Sequence, residues 1–142
     1  MGTQQILMIV LSVIIVGAAV AVGIQMFDTQ ATNSQRTAIA ADIQNFGAQV
    51  LAFSRTPTSM GGGKGAEDLA DDDVKKNLAQ YLGFTGTGNT LENVNATYSL
   101  EVEGKVATIT GVQDKITATG TINLEEKDVA KAISVSFSTT EY

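Results

Sequence analysis

The chain carries an uncharged apolar run from Ile6 to Phe27, and this run constrains the fold more than any other feature. It holds about 22 residues, in which Ser12 and Gln25 are the polar side chains. As an α-helix it would be about 33 Å long, close to the thickness of a bilayer core. Its Ile, Leu, Val and Phe side chains favour insertion into lipid by roughly 4 to 8 kcal/mol. The run therefore predicts a membrane anchor or the core element of a filament.

The helical pattern continues past Phe27 without a Pro or a turn signal, but it becomes striped. Apolar residues recur at steps of four and three, the spacing of one helix face. They are Ile39, Ile43, Phe46, Val50 and Phe53. Because the residue before a proline is disfavoured in a helix, the helix should end before Thr56-Pro57. Residues 28–55 are therefore predicted to form an amphipathic half-helix, whose stripe packs on a folded domain.

Residues 56–142 are predicted to form that domain, a globular head with a loop and a sheet. Val74, Leu78, Tyr81 and Leu82 have the spacing of one short amphipathic helix, which Gly83 should end. Four alternating segments predict four antiparallel strands with one polar face. They lie near residues 96–103, 106–110, 116–124 and 133–142. Residues 125–128 are predicted to form a charged turn or a short helical turn. The predicted fold class is α+β, with the long helix packed on the sheet.

The composition excludes several classes of function. Without Cys and His, the chain cannot form disulfides, thiol or Ser–His–Asp catalytic units, or zinc sites of the usual kind. The net charge is −6 with no basic cluster, which makes nucleic-acid binding a poor prediction. Scattered carboxylates mark no catalytic pair. We therefore predict no enzyme activity and no cofactor.

Two polar segments resemble binding motifs but do not satisfy them. Gly61–Gly65 lacks the spacing of a phosphate-binding loop, since Lys64 is not followed by Ser or Thr and no strand precedes the glycines. Asp71–Asp73 lacks the alternating ligands and distal Glu of a calcium loop. These aspartates are better explained as a cap and as favourable charges at the start of the short helix. We predict no metal site.

The small residues of the apolar run leave two interpretations open. Gly17, Ala21 and Gly23 would let neighbouring helices approach closely. Gly and Ala are also common in any transmembrane helix, so this stretch alone does not distinguish an assembling helix from an anchor. If the helix assembles, the predicted contact residues are Gln5, Ile6, Ile9, Val10, Val13, Ile14, Gly17, Ala21, Gly23 and Phe27.

A hydrophobic half-helix, an amphipathic half, a loop and a sheet together resemble the type IV pilins, with specific sequence likeness confined to the first 55 or so residues. The resemblance implies that a leader is removed and that the first mature residue is methylated, and Met1 is the expected residue. The alternative is that Met1 is simply the initiator. The family usually has Glu at the fifth position, where this chain has Gln5, an amide that cannot neutralise a buried ammonium. Either the terminus stays near a polar boundary, or the chain is of a divergent filament class.

The resemblance implies a structural subunit of an extracellular pilus-like filament on the cell surface. Its expected partners are copies of itself, the inner membrane before assembly and the pilus assembly machinery. The alternative is a membrane-anchored periplasmic or extracellular protein, including a pseudopilin of a secretion system. In that case the helix is an anchor and the head binds a partner.

Overall fold

The computed structural model describes residues 2–63, 72–85, 89–126 and 128–139. The chain divides into two compact units, Met1–Gln35 and Arg36–Tyr142. The first unit contains the whole apolar run and, among its described residues 2–35, no strand. The second contains the striped helix segment, the sheet and the hydrophobic core.

Helix α1 runs from Gly2 to Arg55, as the unbroken apolar and striped patterns predict. It ends where Pro57 makes a further helical turn unfavourable. The amide of Thr56 still donates to the carbonyls of Ala52 and Phe53, each at 3.1 Å. A 3₁₀ turn follows over Thr58–Met60, closed by Gly61 in the left-handed conformation.

Helix α2 spans Asp72–Leu82 and confirms the predicted short helix. Asp72 and Asp73 lie in its first turn, where carboxylates complement the helix dipole. Asp71, the third candidate for capping, lies outside the described residues. At the other end Gly83 has φ +82°, and the amide of Phe84 donates to Ala79 at 2.8 Å. This left-handed C-terminal cap needs glycine, as the sequence predicted.

The sheet has five antiparallel strands, so the prediction of four was wrong in number. The strands follow one another in chain order, each paired with the next. They are β1 Thr90–Glu92, β2 Thr97–Glu103, β3 Val106–Gln113, β4 Ile116–Asn123 and β5 Ile133–Thr139. Strand β1 has only three residues and one inward side chain, too few to show an alternating pattern. Its pairing with β2 is what makes it a strand.

A short helix, α3, covers Val129–Ala132 and connects β4 to β5. The side chain of Asp128 caps it, accepting a hydrogen bond from the amide of Ala130 at 3.1 Å. The helical turn therefore begins after the acidic segment predicted at residues 125–128. In that segment the Glu125 carboxylate pairs with the Lys105 ammonium at 3.0 Å, both exposed.

The core of the second unit lies between α1 and the inner face of the sheet. The inward residues of β2 and β4 alternate with outward polar residues, as a sheet with one polar face predicts, whereas the outer face of β3 also carries Val106 and the exposed Val112. Fully buried side chains include Ile39, Ile43, Val50, Tyr98, Ile109 and Ile122. Helix α2 adds Leu78, Ala79 and Leu82 to the same cluster. The fold is α+β, with a long N-terminal helix on an antiparallel sheet.

Candidate functional site

The first unit exposes a continuous apolar surface. In the most hydrophobic stretch of α1 no side chain is buried, and Phe27 is 75% exposed. The predicted assembly residues Ile6, Ile9, Val10, Val13, Ile14 and Phe27 are all exposed. Exposed apolar patches on soluble proteins seldom exceed a few hundred Å², so a surface of this kind requires lipid or protein against it. The helix is long and apolar enough to span a membrane.

Two hydroxyl side chains in this part of α1 donate hydrogen bonds within the helix. The hydroxyl of Ser12 donates to the carbonyl oxygen of Met8 at 2.7 Å. Nearer the second unit, the hydroxyl of Thr29 donates to the carbonyl of Gln25 at 2.9 Å. A hydroxyl satisfied in this way can enter apolar surroundings without leaving a donor unpaired. Ser12 is therefore compatible with either lipid or a protein core around the helix.

The small residues leave open space on the helix. A Cβ placed at Gly17 or Gly23 would meet no atom within 4 Å, and Ala21 is exposed. These positions therefore have no packing role inside the described chain. Any contact that needs their small size must come from outside the chain.

Gln5, which has an amide side chain where the type IV pilins usually have Glu, lies near the N-terminal end of α1. Gln4 and Gln5 line a shallow depression together with Met8 and Ile9. An amide both donates and accepts hydrogen bonds but carries no charge, so Gln5 offers a neighbour a hydrogen-bond partner without an ion pair. Met1, the predicted processing and methylation residue, lies outside the described residues.

The predicted stripe of the amphipathic half-helix faces the core of the second unit. Ile39, Ile43, Val50 and Phe53 are buried, and Phe46 is partly buried against the same cluster. The ring of Phe46 packs edge-to-face on Phe84 and Tyr98, with centroids 5.3 and 5.2 Å apart. These side chains fix α1 to the sheet, which is the role that the sequence assigned to them.

Three glycines, which the sequence reasoning missed, allow α1 to lie close to the sheet. A Cβ at Gly111 would lie 2.7 Å from Tyr98 Cε1 of the neighbouring strand and 3.1 Å from Ile39 Cγ2 of α1, and one at Gly120 would overlap Ile43 Cγ2. On the helix, a Cβ at Gly47 would lie 2.9 Å from Ile133 Cδ1. The available signal was an isolated glycine, Gly120, inside the predicted strand 116–124, and another, Gly111, directly after the predicted strand 106–110. Such a glycine often marks a close approach of another element.

A polar cluster, also missed by the sequence reasoning, ties α1 to the turn between β1 and β2. Asp42 Oδ2 accepts hydrogen bonds from Tyr98 OH and Asn95 Nδ2, each at 2.8 Å, and from Asn93 Nδ2 at 3.3 Å. Bonds to a charged acceptor are about twice as strong as neutral ones. We call these four residues the Asp42 cluster. Asn95 is therefore a structural residue, although Asn95-Ala96-Thr97 matches a glycosylation sequon.

The environment of Tyr98 changes its acidity. Burial of the ring disfavours the phenolate, and the hydrogen bond and negative charge of Asp42 add to this effect. Together they hold the pKa of the Tyr98 phenol well above its ordinary value. The phenol therefore remains a hydrogen-bond donor to Asp42 over the physiological pH range.

Among residues 2–63, 72–85, 89–126 and 128–139, no group of three or more candidate ligands is placed to hold a metal ion. Comparison with protein-family models, with curated proteins and with solved structures found no match.

Proposed function

We propose that this protein is a structural subunit of an extracellular, type IV pilus-like helical filament. The proposal rests above all on one observation, the exposed apolar surface of α1 before residue 36. In the proposed assembly this surface leaves the membrane and packs against the same surface of neighbouring copies. The heads, residues 56–142, form the outer wall. The same proposal includes a membrane-inserted precursor, its assembly by pilus assembly machinery and the methylation of Met1.

Two further features support assembly by packing. The second unit has a complete core that uses the stripe of α1 and needs none of the residues before Gln35. The apolar surface is thus free to serve another purpose. In lipid and in a protein core alike, helices associate through small residues that permit close contact. Gly17, Ala21 and Gly23 have that property and have no packing role in the described chain.

The second candidate function is a membrane-anchored protein facing the periplasm or the exterior, including a pseudopilin of a secretion system. The length and composition of α1 favour it equally, because a span also has an exposed apolar surface. The two functions differ in what they require of the small residues. An anchor needs hydrophobicity only, whereas a filament core needs space for neighbours.

This difference provides the experiment. Gly17→Leu adds apolar volume where a Cβ meets open space, so it should preserve membrane insertion and the fold of the chain. In a filament it fills the space that a neighbouring helix occupies. Cells producing Gly17→Leu are expected to retain the protein in the membrane fraction but to release few or no fibres on shearing. Electron microscopy and mass spectrometry of the sheared material measure both quantities.

Val20→Leu is the matched control, because it adds bulk at a position that is already large and exposed. Fibres containing this chain should persist in the control. Wild-type cells that yield no fibre with this chain would refute the filament proposal and favour the anchor. Fibres of normal number in Gly17→Leu would refute the assigned packing role of Gly17.

A further inference from the structure

Among the described residues, strand β5 forms one edge of the sheet and contains no charge, proline or bulge that would protect that edge, although the Arg36 guanidinium of α1 donates to Thr139 Oγ1 at its end at 2.6 Å. It pairs with β4 through all seven of its residues, in a continuous register without a bulge. Its sequence, Ile-Ser-Val-Ser-Phe-Ser-Thr, contains no charged residue and no proline. Native edge strands are commonly shortened, charged, bulged or covered, because their free backbone groups can pair with another strand.

The opposite edge of the same sheet is protected. Strand β1 has three residues and ends in Glu92, and its neighbour β2 carries Glu101 and Glu103. Because the chain has a net charge of −6, pairing of two copies through this acidic edge is opposed by like charges. No carboxylate lies within β5 itself. Of the two edges, only β5 is long and neutral enough to pair with its own copy.

The side chains of β5 change along the strand from covered to exposed. Ile133, Val135 and Phe137 lie on the inner face, opposite Ile122, Gly120 and Ala118 of β4. Ile133 and Val135 are partly buried, whereas Phe137 is 41% exposed. The outer face presents three exposed serines, Ser134, Ser136 and Ser138. The inner face therefore leaves an aromatic ring partly uncovered.

We propose that β5 pairs antiparallel with β5 of a second copy, about a two-fold axis through Ser136. In that register Ser136 opposes itself and Ser134 opposes Ser138. On the inner face, Phe137 of each copy opposes Val135 of the other. All seven residues find partners, and one sheet continues across both copies.

The side chains of β5 are complementary to those of a second β5 strand, which favours a second copy of this chain over an unrelated strand as the partner. Aromatic and β-branched residues form favourable cross-strand pairs, and the register provides two such pairs by symmetry. The outer face brings only small hydroxyl side chains together, and no like charges meet within the strand. A contact of this kind is isologous and closes on two copies. The two-fold axis is perpendicular to the sheet, so it reverses the direction of the α1 segment that lies on the sheet. The contact is therefore distinct from the contacts of the proposed filament, in which the helices all run in one direction, and it does not rest on that proposal.

The experiment uses the absence of Cys from the chain, so that one introduced thiol reports one position. Antiparallel partners have Cα atoms about 4.5 to 5.5 Å apart, a separation that a disulfide spans. Full-length Ser136→Cys in detergent, oxidised mildly, is expected to give a disulfide-linked dimer on a non-reducing gel. Thr119→Cys is the matched control, because Thr119 pairs with Ser136 on the same face but lies on an interior strand. It should remain largely monomeric.

Mixing two variants tests the register. Ser134→Cys and Ser138→Cys should each cross-link poorly alone, and several-fold better when mixed, since these positions oppose each other. Ser136→Lys, added to both the Ser134→Cys and the Ser138→Cys chains, should abolish their cross-link, because the two introduced ammonium groups would meet across the interface. Thr119→Lys, added to both chains in the same way, should leave the cross-link intact.

Three results would overturn the proposal. One is equal cross-linking of Ser136→Cys and Thr119→Cys, which would indicate contact through the detergent-bound helices alone. The second is the absence of cross-linking by Ser136→Cys. The third is efficient cross-linking of Ser134→Cys alone, which would indicate parallel pairing. The filament proposal is untouched by any of these, because it is tested by sheared fibres.

Discussion

Gly120 shows how a single residue sets the distance between helix and sheet. A side chain there would overlap Ile43, which is fully buried on α1. We expect Gly120→Val to destabilise the protein by about 1 to 3 kcal/mol, because the overpacked helix must shift off the sheet. Denaturant unfolding followed by circular dichroism measures the loss. Thr119→Val, on the outward face of the same strand, should change stability little; an equal loss there would contradict the packing explanation.

Asp42 holds three donors, so its removal leaves several polar groups without a partner. In Asp42→Ala the buried Tyr98 hydroxyl loses its acceptor. The expected cost is about 1 to 3 kcal/mol, the penalty for a buried group left unsatisfied. Asp28→Ala, in the exposed part of α1, is the control for loss of one carboxylate. Comparable stability of Asp42→Ala and Asp28→Ala in thermal unfolding would show that the Asp42 cluster contributes nothing.

The raised pKa of Tyr98 makes stability depend on alkaline pH. Below about pH 10 the phenol is protonated in both the folded and the unfolded state, and it contributes no pH dependence. As the pH rises further, the unfolded chain loses this proton first, because the pKa of the folded-state phenol lies higher. The free energy of unfolding should then fall by up to about 1.4 kcal/mol per pH unit. Tyr98→Phe should remove this part of the fall; an unchanged slope would contradict the assignment.

At the level of elements, the sequence predicts periodic segments well and close approaches poorly. The stripe from Ile39 to Phe53 and the alternation in β2 both repeat often enough to show which face is buried. Strand β1 shows no such repeat within its three residues. The close approaches at Gly111 and Gly120 and the hydrogen bonds of the Asp42 cluster join residues that are far apart in the chain. No local sequence pattern predicts which of these residues meet. The register of the sheet was needed to find them.

Helix α1 serves two purposes along its length, and its second part is required for folding. Ile39, Ile43 and Val50 contribute fully buried side chains to the core. A chain beginning at Arg36 should therefore unfold cooperatively and remain soluble without detergent. A chain beginning at Thr56 should lack cooperative unfolding, because the inner face of the sheet loses its cover. Cooperative unfolding of the shorter chain would contradict this division of α1.

The whole molecule joins a folded unit, residues 36–142, to an exposed apolar helix segment. The folded unit accounts for its own stability, because its core is complete within residues 36–142 and includes the stripe of α1. The fold class could be predicted from the sequence, because two long periodic patterns dominate it. The absence of a charged side chain before Asp28 likewise marked the exposed apolar surface. The sequence could not predict whether this surface contacts lipid or other helices, because both accept the same apolar residues.

The most direct measurement is helical reconstruction by electron cryomicroscopy of fibres sheared from cells that produce this protein. We expect fibres in which copies of Ile6–Phe27 pack together along the axis, with Gly17 and Ala21 at helix contacts and the heads outside. Fibres that lack this chain, or a chain that remains entirely in the membrane fraction, would contradict the central claim and leave the helix as an anchor.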